Sequence, residues 1–463
     1  MLSILGQPAS GGTTRRALLQ AAGTGLLGLS LPKLFAAEES AETKRHPAKA
    51  KSVIFLFLFG GPSQLETFDL KPESPRETRG PFRSMPSKTP GLLISDQLPK
   101  LAACSDKYCV IRNMSHSFND HSGAAHYMQT GRRWHVPIGG GFVKTSKDWP
   151  SMGSVVEYFG QRDPGGVDRD LPNYVVTPNW LGRLQEKGQY RRPGEYASWL
   201  GHGYNGMTTR IDKRNLNDNP YWRGMTDAEA DFRIVGLDPP TIELDRLEKR
   251  RSLLEQFDAK QRFLDRSDTH KLDRLRARAF ALLSTGRTKE ALDVRRESEA
   301  TRERYGKHLF GQSTLLARRL VEAGVRFVTV HYDACDGYSW DSHRNSHDVK
   351  KHLLPTLDQS LSALICDLDE RGLLDETLVV AVGEMGRTPK ANKAWGRDHW
   401  STLFPAVIAG AGVRGGVAYG SSDKVGAHPR ENPTSPEDLA ATIYDALGID
   451  PSSHIYKLDG QPV

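Results

Sequence analysis

Cysteine is the first scarcity. Only four occur in 463 residues, Cys104, Cys109, Cys335 and Cys366, and none stands in C-x-x-C spacing. That excludes a thiolate zinc ribbon, a dithiol redox motif and a disulfide-dense small scaffold. Cys104 and Cys109 are close enough in sequence to pair, and burial of all four as small hydrophobes is the equally open reading. Familiar hydrolase and nucleotide signatures are missing as well. There is no G-x-S-x-G elbow, and Gly60-Gly61 is neither a G-x-G-x-x-G turn nor a phosphate loop. No lysine- and arginine-rich block with interleaved aromatics occurs. The net charge of +7 falls to +4, 60 basic against 56 acidic residues, once the first 37 residues are set aside. Nucleic acid is therefore not expected as a partner. Long apolar runs are absent too: Ala21 to Leu34 falls short of the roughly 20 residues of a membrane helix, so no stable membrane span is expected.

What is present begins with a leader. Thr14-Arg15-Arg16-Ala17-Leu18-Leu19, an apolar stretch and Phe35-Ala36-Ala37 have the order of a twin-arginine export signal, assigned to residues 1–37. A polar linker over 38–50 follows. The expected destination is periplasmic or extracellular. The remaining chain, 51–463, reads as a single domain, with 135–323 as a cap or insertion. Within 241–323, Leu244, Leu247, Leu254 and Phe257 recur at helical spacing, as do Leu272, Leu275, Ala279 and Leu282.

Buried strands are predicted at Val53–Phe59, Tyr108–Arg112, Leu171–Val176, Val325–His331, Leu378–Val382 and Pro405–Ala409, alternating with helices at 98–103, 315–321, 353–369 and 436–447. A helix is also expected from Asp120 or Ser122 to Gln129, ended by Gly131. Residues 72–97 read as a long loop. The fold class is α/β, with a mostly parallel central sheet and helices on both faces.

Polar clusters follow three of these strands, near Ser63, near Asp341 and near Glu384. In a parallel sheet such loops share one edge, where side chains converge on a ligand. Asp341-Ser342-His343 and Asp398-His399, with Glu384, make a mixed carboxylate and imidazole set suited to a divalent metal: Zn, Mn, Mg or Ca. Two such metals about 4 Å apart can clamp the oxygens of a phosphate or sulfate ester. The bland alternatives are a turn role for Asp341, a helix cap for Asp398 and an ion pair of Glu384 with Arg387. His116, His121 and His126 form a further candidate group, and Arg387 and Arg397 are candidate anion ligands.

Five segments in this order, LFLFGGPSQLETFDLKP, NDHSGAAHYMQTGR, YSWDSHRNSHD, GEMGRTP and GRDHW, resemble the family catalogued as domain of unknown function 1501. That family is grouped with the alkaline phosphatase and sulfatase superfamily, which implies a sandwich of that type and a site with one or two divalent metals. The resemblance aligns Gly383-Glu384-Met385-Gly386 with a Ser/Ala-Asp-His-Gly metal motif, Met385 standing where the motif has histidine. His399 matches a later histidine ligand, and Asp341 and His343 a preceding pair. Ser122 or His121 falls near the nucleophile position. The superfamily's first-strand aspartate is replaced by Gly60-Gly61, with Glu66 or Asp69 as substitutes. The resemblance implies an exported hydrolase of phosphate or sulfate esters. Its site would hold metal on Asp341, His343, Glu384, Asp398 and His399, with Ser122 as nucleophile or His121 as base or nucleophile, and Arg387 on the anion. The substrate would be an anionic ester, glycan-linked in one version. The alternative is a catalytically degenerate member that binds glycan or an envelope complex.

Overall fold

The computed structural model describes residues 47–162, 171–185, 189–234, 286–333, 339–344, 346–457 and 462–463. The export signal, most of the 38–50 linker, the expected helices between 241 and 285, and Cys335 lie outside the described residues.

Nine strands build the central sheet: β1 (Ser52–Phe57), β2 (Tyr108–Met114), β3 (Tyr174–Thr177), β4 (Met207–Arg210), β5 (Arg233–Ile234), β6 (Phe327–His331), β7 (Thr377–Val382), β8 (Phe404–Ala409) and β9 (Val417–Tyr419). Their order is β9-β2-β8-β7-β1-β6-β3-β4-β5. Pairing is parallel from β7 through β1, β6 and β3 to β4. Only β8 and the edge strand β5 run the other way. The expected α/β class with a mostly parallel sheet is the one observed.

The apolar run of β1 has no polar alternation because both of its faces are covered. Ile54 and Leu56 point to one side, among Leu315 and Leu316 of helix α3 (Leu309–Ala323) and Leu361 and Leu364 of α4 (Leu354–Glu370). Val53, Phe55 and Phe57 point to the other. There they meet Ala125 and Met128 of α1 (His121–Thr130), Val156 of α2 (Met152–Arg162) and Ile443 of α5 (Pro436–Ala446). Each such side chain removed from water contributes about 1.5–3 kcal/mol. The two cores hold the strands in register, and the register fixes which loops meet.

The strands β1, β6, β7 and β2 share a direction, so their carboxyl ends open on one edge. Chain from Asp398 and His399 returns to that edge, because β8 is antiparallel and begins there. Residues 72–97 are more structured than the loop expected: they hold a short helix, Arg76–Arg79, and a hairpin pairing Ser84–Pro86 with Leu93–Ser95. Within 135–323, β3, β4 and β5 extend the sheet, and α2 and α3 pack on it. The neighbour of the Cys104 thiol is Cys366, from α4, instead of Cys109. Cys104, Cys109 and Cys366 are all free thiols.

Candidate metal centre

Helix α1 brings the first imidazole. Asp120 is its cap, accepting from the backbone N–H of Gly123 at 2.8 Å, and Gly131 ends it in the left-handed region at φ 63°. This places His121 on the first turn, at the mouth of the β2 loop. Its Nδ1 lies 2.6 Å from Oε1 of Glu384, just past β7. Both oxygens of that fully buried carboxylate accept from the backbone N–H of Gly60, at 2.9 and 3.0 Å. Glu384 thus ties the ends of β1, β7 and α1 together.

One oxygen, Oδ1 of Asp341, is the focus of the cluster. It lies 3.2 Å from Nε2 of His121, 3.0 Å from Nε2 of His343 and 3.4 Å from Nε2 of His399. Nη2 of Arg387 donates to it at 2.6 Å. The far side of each imidazole is held by an oxygen: His121 by Glu384, His343 by Asp398 at 2.9 Å, and His399 by the carbonyl of Asn119 at 3.1 Å. An imidazole whose Nδ1 donates outward keeps its Nε2 lone pair for a ligand.

Two observations test this cluster for a metal. Nε2 of His121 is buried and makes no aligned hydrogen bond, although Asp341 is near; proximity without alignment is not a hydrogen bond. Nε2 of His343 and Nε2 of His399 face each other at 3.0 Å. Ligand atoms of His121, Asp341 and His399 all lie within 4.8 Å of one another. An imidazole-rich set with one carboxylate fits a zinc-type or manganese-type ion.

Charge in the cluster is strongly coupled. Burial opposes a charge on His121, but the Asp341 and Glu384 carboxylates outweigh it and raise the imidazole to about 9. Burial likewise works to raise Asp341, and the three histidines overturn it, holding the carboxyl well below its usual range. Asp341 raises His343, against burial and with help from Asp398. Asp341 thus lies beside the raised imidazoles of His121 and His343 and the Arg387 guanidinium.

The remaining predicted residues fall in different places. Glu384 and Asp398, expected as direct ligands, each meet a histidine on the side away from Asp341. Arg387, expected on a substrate anion, is fully buried. Its N–H groups go to the carbonyls of Gly60, Gly61 and Arg397 and to Asp341. Arg397 is equally engaged, with Glu66 at 2.8 Å and with the carbonyls of Thr78, Thr388 and Pro389. Ser122 is fully buried and its hydroxyl donates to the Phe142 carbonyl at 3.2 Å. Among the described residues no hydroxyl or thiol hydrogen-bonds to the side chains of His121, Asp341, His343 or His399.

Neither substitute for the first-strand aspartate reaches the cluster. Glu66 pairs with Arg397 and Ser346, and Asp69 with Lys71 and Ser422. A side chain at position 60 itself would not fit: φ there is 113° and a Cβ would come within 2.4 Å of the Asp341 backbone nitrogen. The loop after β6 occupies the space a first-strand side chain would need. Met385 packs against Phe118, Ala124, Tyr127 and Trp134, an apolar role. His116 bonds the Glu384 carbonyl at 2.6 Å and is lowered to about 4 by burial. His126 bonds Arg132 and Trp149, also neutral by burial. Sequence reasoning missed Asn119 and the Gly60 N–H, because both act through backbone atoms.

A mostly parallel α/β sheet whose carboxyl edge carries three imidazoles around one aspartate is an α/β protein with the donor set of a metal centre. The chain belongs to the family described as "Protein of unknown function (DUF1501)", whose model matches residues 50–463. No match was found among curated proteins. Solved structures similar to it include the following three. PsFucS1 sulfatase from Pseudoalteromonas sp. is 13% identical, with a TM-score of 0.39 over 90% of this chain and 71% of that one. The alkaline phosphatase of the Antarctic bacterium TAB5 is 13% identical, with a TM-score of 0.38 over 86% and 98%. The phosphonate monoester hydrolase SpPMH from Silicibacter pomeroyi is 11% identical, with a TM-score of 0.35 over 86% and 73%.

Proposed function

We propose that the chain is an exported, divalent-metal-dependent hydrolase of phosphate or sulfate esters. The observation that carries this reading is the convergence of His121, His343 and His399 on Oδ1 of Asp341. His121, Asp341, His343 and His399 would hold the metal, and Glu384 and Asp398 would orient His121 and His343 from behind. The metal would act as a Lewis acid on an ester oxygen. The buried Ser122 hydroxyl, turned to the Phe142 carbonyl, supports water as the attacking group instead of a serine. Export rests on the Arg15-Arg16 segment. Among the described residues no helix is long and apolar enough to cross a membrane.

The test is turnover of aryl phosphates, phosphodiesters and aryl sulfates by metal-loaded protein, before and after chelation. Hydrolysis of at least one class, lost on chelation and in His399→Ala, is expected. The same observation about hydroxyls favours a second reading, a metal-holding member that binds anionic glycan without turning it over. Metal present with no turnover on any substrate class would select that reading.

A further inference from the structure

The reading above leaves an anionic substrate without a cation to hold it, because Arg387 and Arg397 are engaged by protein oxygens. A different guanidinium is only partly engaged. Arg192 is 7% exposed and lies in the loop after β3, over the same sheet edge as the cluster. Its Nη2 donates to the amide oxygen of Gln185 at 3.0 Å. Its Nε is buried with no hydrogen-bond partner. Among the described residues no carboxylate pairs with it. The nearby Asp333 instead accepts from Gly182 and from the Gln185 amide, so Gln185 stands between the acid and the guanidinium.

The setting is built. The guanidinium carbon sits 4.7 Å from the ring centre of Phe59 and 4.7 Å from that of Tyr190. Rings hold the cation in place but do not neutralise it. A buried charge without a partner is costly, and natural chains keep one where a ligand supplies the counter-charge. Phe59 also packs on His121, with ring centres 5.2 Å apart. One aromatic ring therefore touches both the metal cluster and the Arg192 guanidinium.

We propose that Arg192 is the anion-binding group of this site, taking a tetrahedral oxyanion of the phosphate or sulfate type on its guanidinium, whose Nε–H has no protein partner. Tyr190 and the half-exposed Phe142, whose ring centres are 6.4 Å apart, form the aromatic rim beside it. Planar N–H donors match two oxygens of such an anion, and lysine does not reproduce that geometry.

The proposal rests on the site reading above, and the experiment separates the two. Binding of inorganic phosphate and of inorganic sulfate is measured by calorimetry on wild type, Arg192→Met and Arg192→Lys, each chelated and metal-loaded, with metal content recorded. The expected result is anion binding by chelated wild type, weakened at least about tenfold in Arg192→Met with metal content unchanged. Arg192→Lys is expected to fall between them, and it stands alone as the test should the methionine variant not fold. Wild-type affinity in either folded variant, or no binding of either anion by wild type, overturns the proposal. Loss of metal without loss of Arg192-dependent anion binding would overturn the metal reading and leave this one standing.

Discussion

Glu384 carries more of the site than its distance from solvent suggests. It is fully buried, caps the Gly60 N–H with both oxygens and lies 2.6 Å from Nδ1 of His121. Carboxylates behind metal-binding histidines are worth about 10–100-fold in metal affinity. Glu384→Gln keeps an acceptor for Gly60 but loses the charge facing His121, so its metal affinity, read by chelator competition, should fall in that range. Asp398→Asn should fall less, because the Asp398 side chain is 67% exposed and water screens its hold on His343. Equal losses in the two variants would contradict the difference in burial. At this scale the sequence was only partly legible. Asp341, His343 and His399 stood out as charged residues just past buried strands. The exchange of roles between Glu384 and His121 did not, because it depends on a contact between residues 263 apart in the chain. Arg387 and Arg397 read as anion ligands, since no local pattern tells a guanidinium that it will fold inward onto carbonyls.

Elements bring these residues together, and two of them make testable demands. The exit of β1 works only with glycine at position 60, where φ is 113° and the Asp341 nitrogen fills the Cβ position. Gly60→Ala should lose about 1–3 kcal/mol to backbone strain and displace the Asp341 loop. Lower melting temperature together with lost metal binding is the expected pair of results. Helix α3 makes the second demand. His308 caps it, Nδ1 accepting from the Gly311 N–H at 3.1 Å, and burial lowers its imidazole to about 4. An acceptor must be neutral. Between about 4 and the unfolded value of 6.5 the unfolded chain binds more protons at this residue, so stability rises with pH across that window. The contribution is complete above 6.5 and gone below about 4, and amounts to about 3 kcal/mol. His308→Asn keeps a capping side chain but cannot titrate. Urea unfolding at pH 7 and pH 4 should show a smaller acid loss in the variant by about that amount. Six of the nine sheet strands and the α1 cap were legible from apolar runs and from Asp120 and Gly131; the short β4, β5 and β9 lack such runs and were not. The 72–97 hairpin was not, because Pro, Ser and Arg mask its short pairing strands.

At the scale of the molecule, the sheet order explains why segments from positions 60, 121, 341, 384 and 399 meet. Four strands point their carboxyl ends at one edge, and the antiparallel β8 returns the fifth segment to it. The class of fold could be read from alternating strands and helices. The order of strands could not, since it is set by contacts between the two cores on either face. Both the site and its proposed chemistry stand on one claim: that three imidazoles and Asp341 hold an ion. The most direct measurement is the divalent-metal content of purified protein by mass spectrometry, in wild type, His399→Ala and Ser122→Ala. Bound zinc or manganese near stoichiometry in wild type and Ser122→Ala, with most of it lost in His399→Ala, is the predicted result. Metal-free wild type after growth and purification with added zinc and manganese, or His399→Ala with wild-type content, would contradict it.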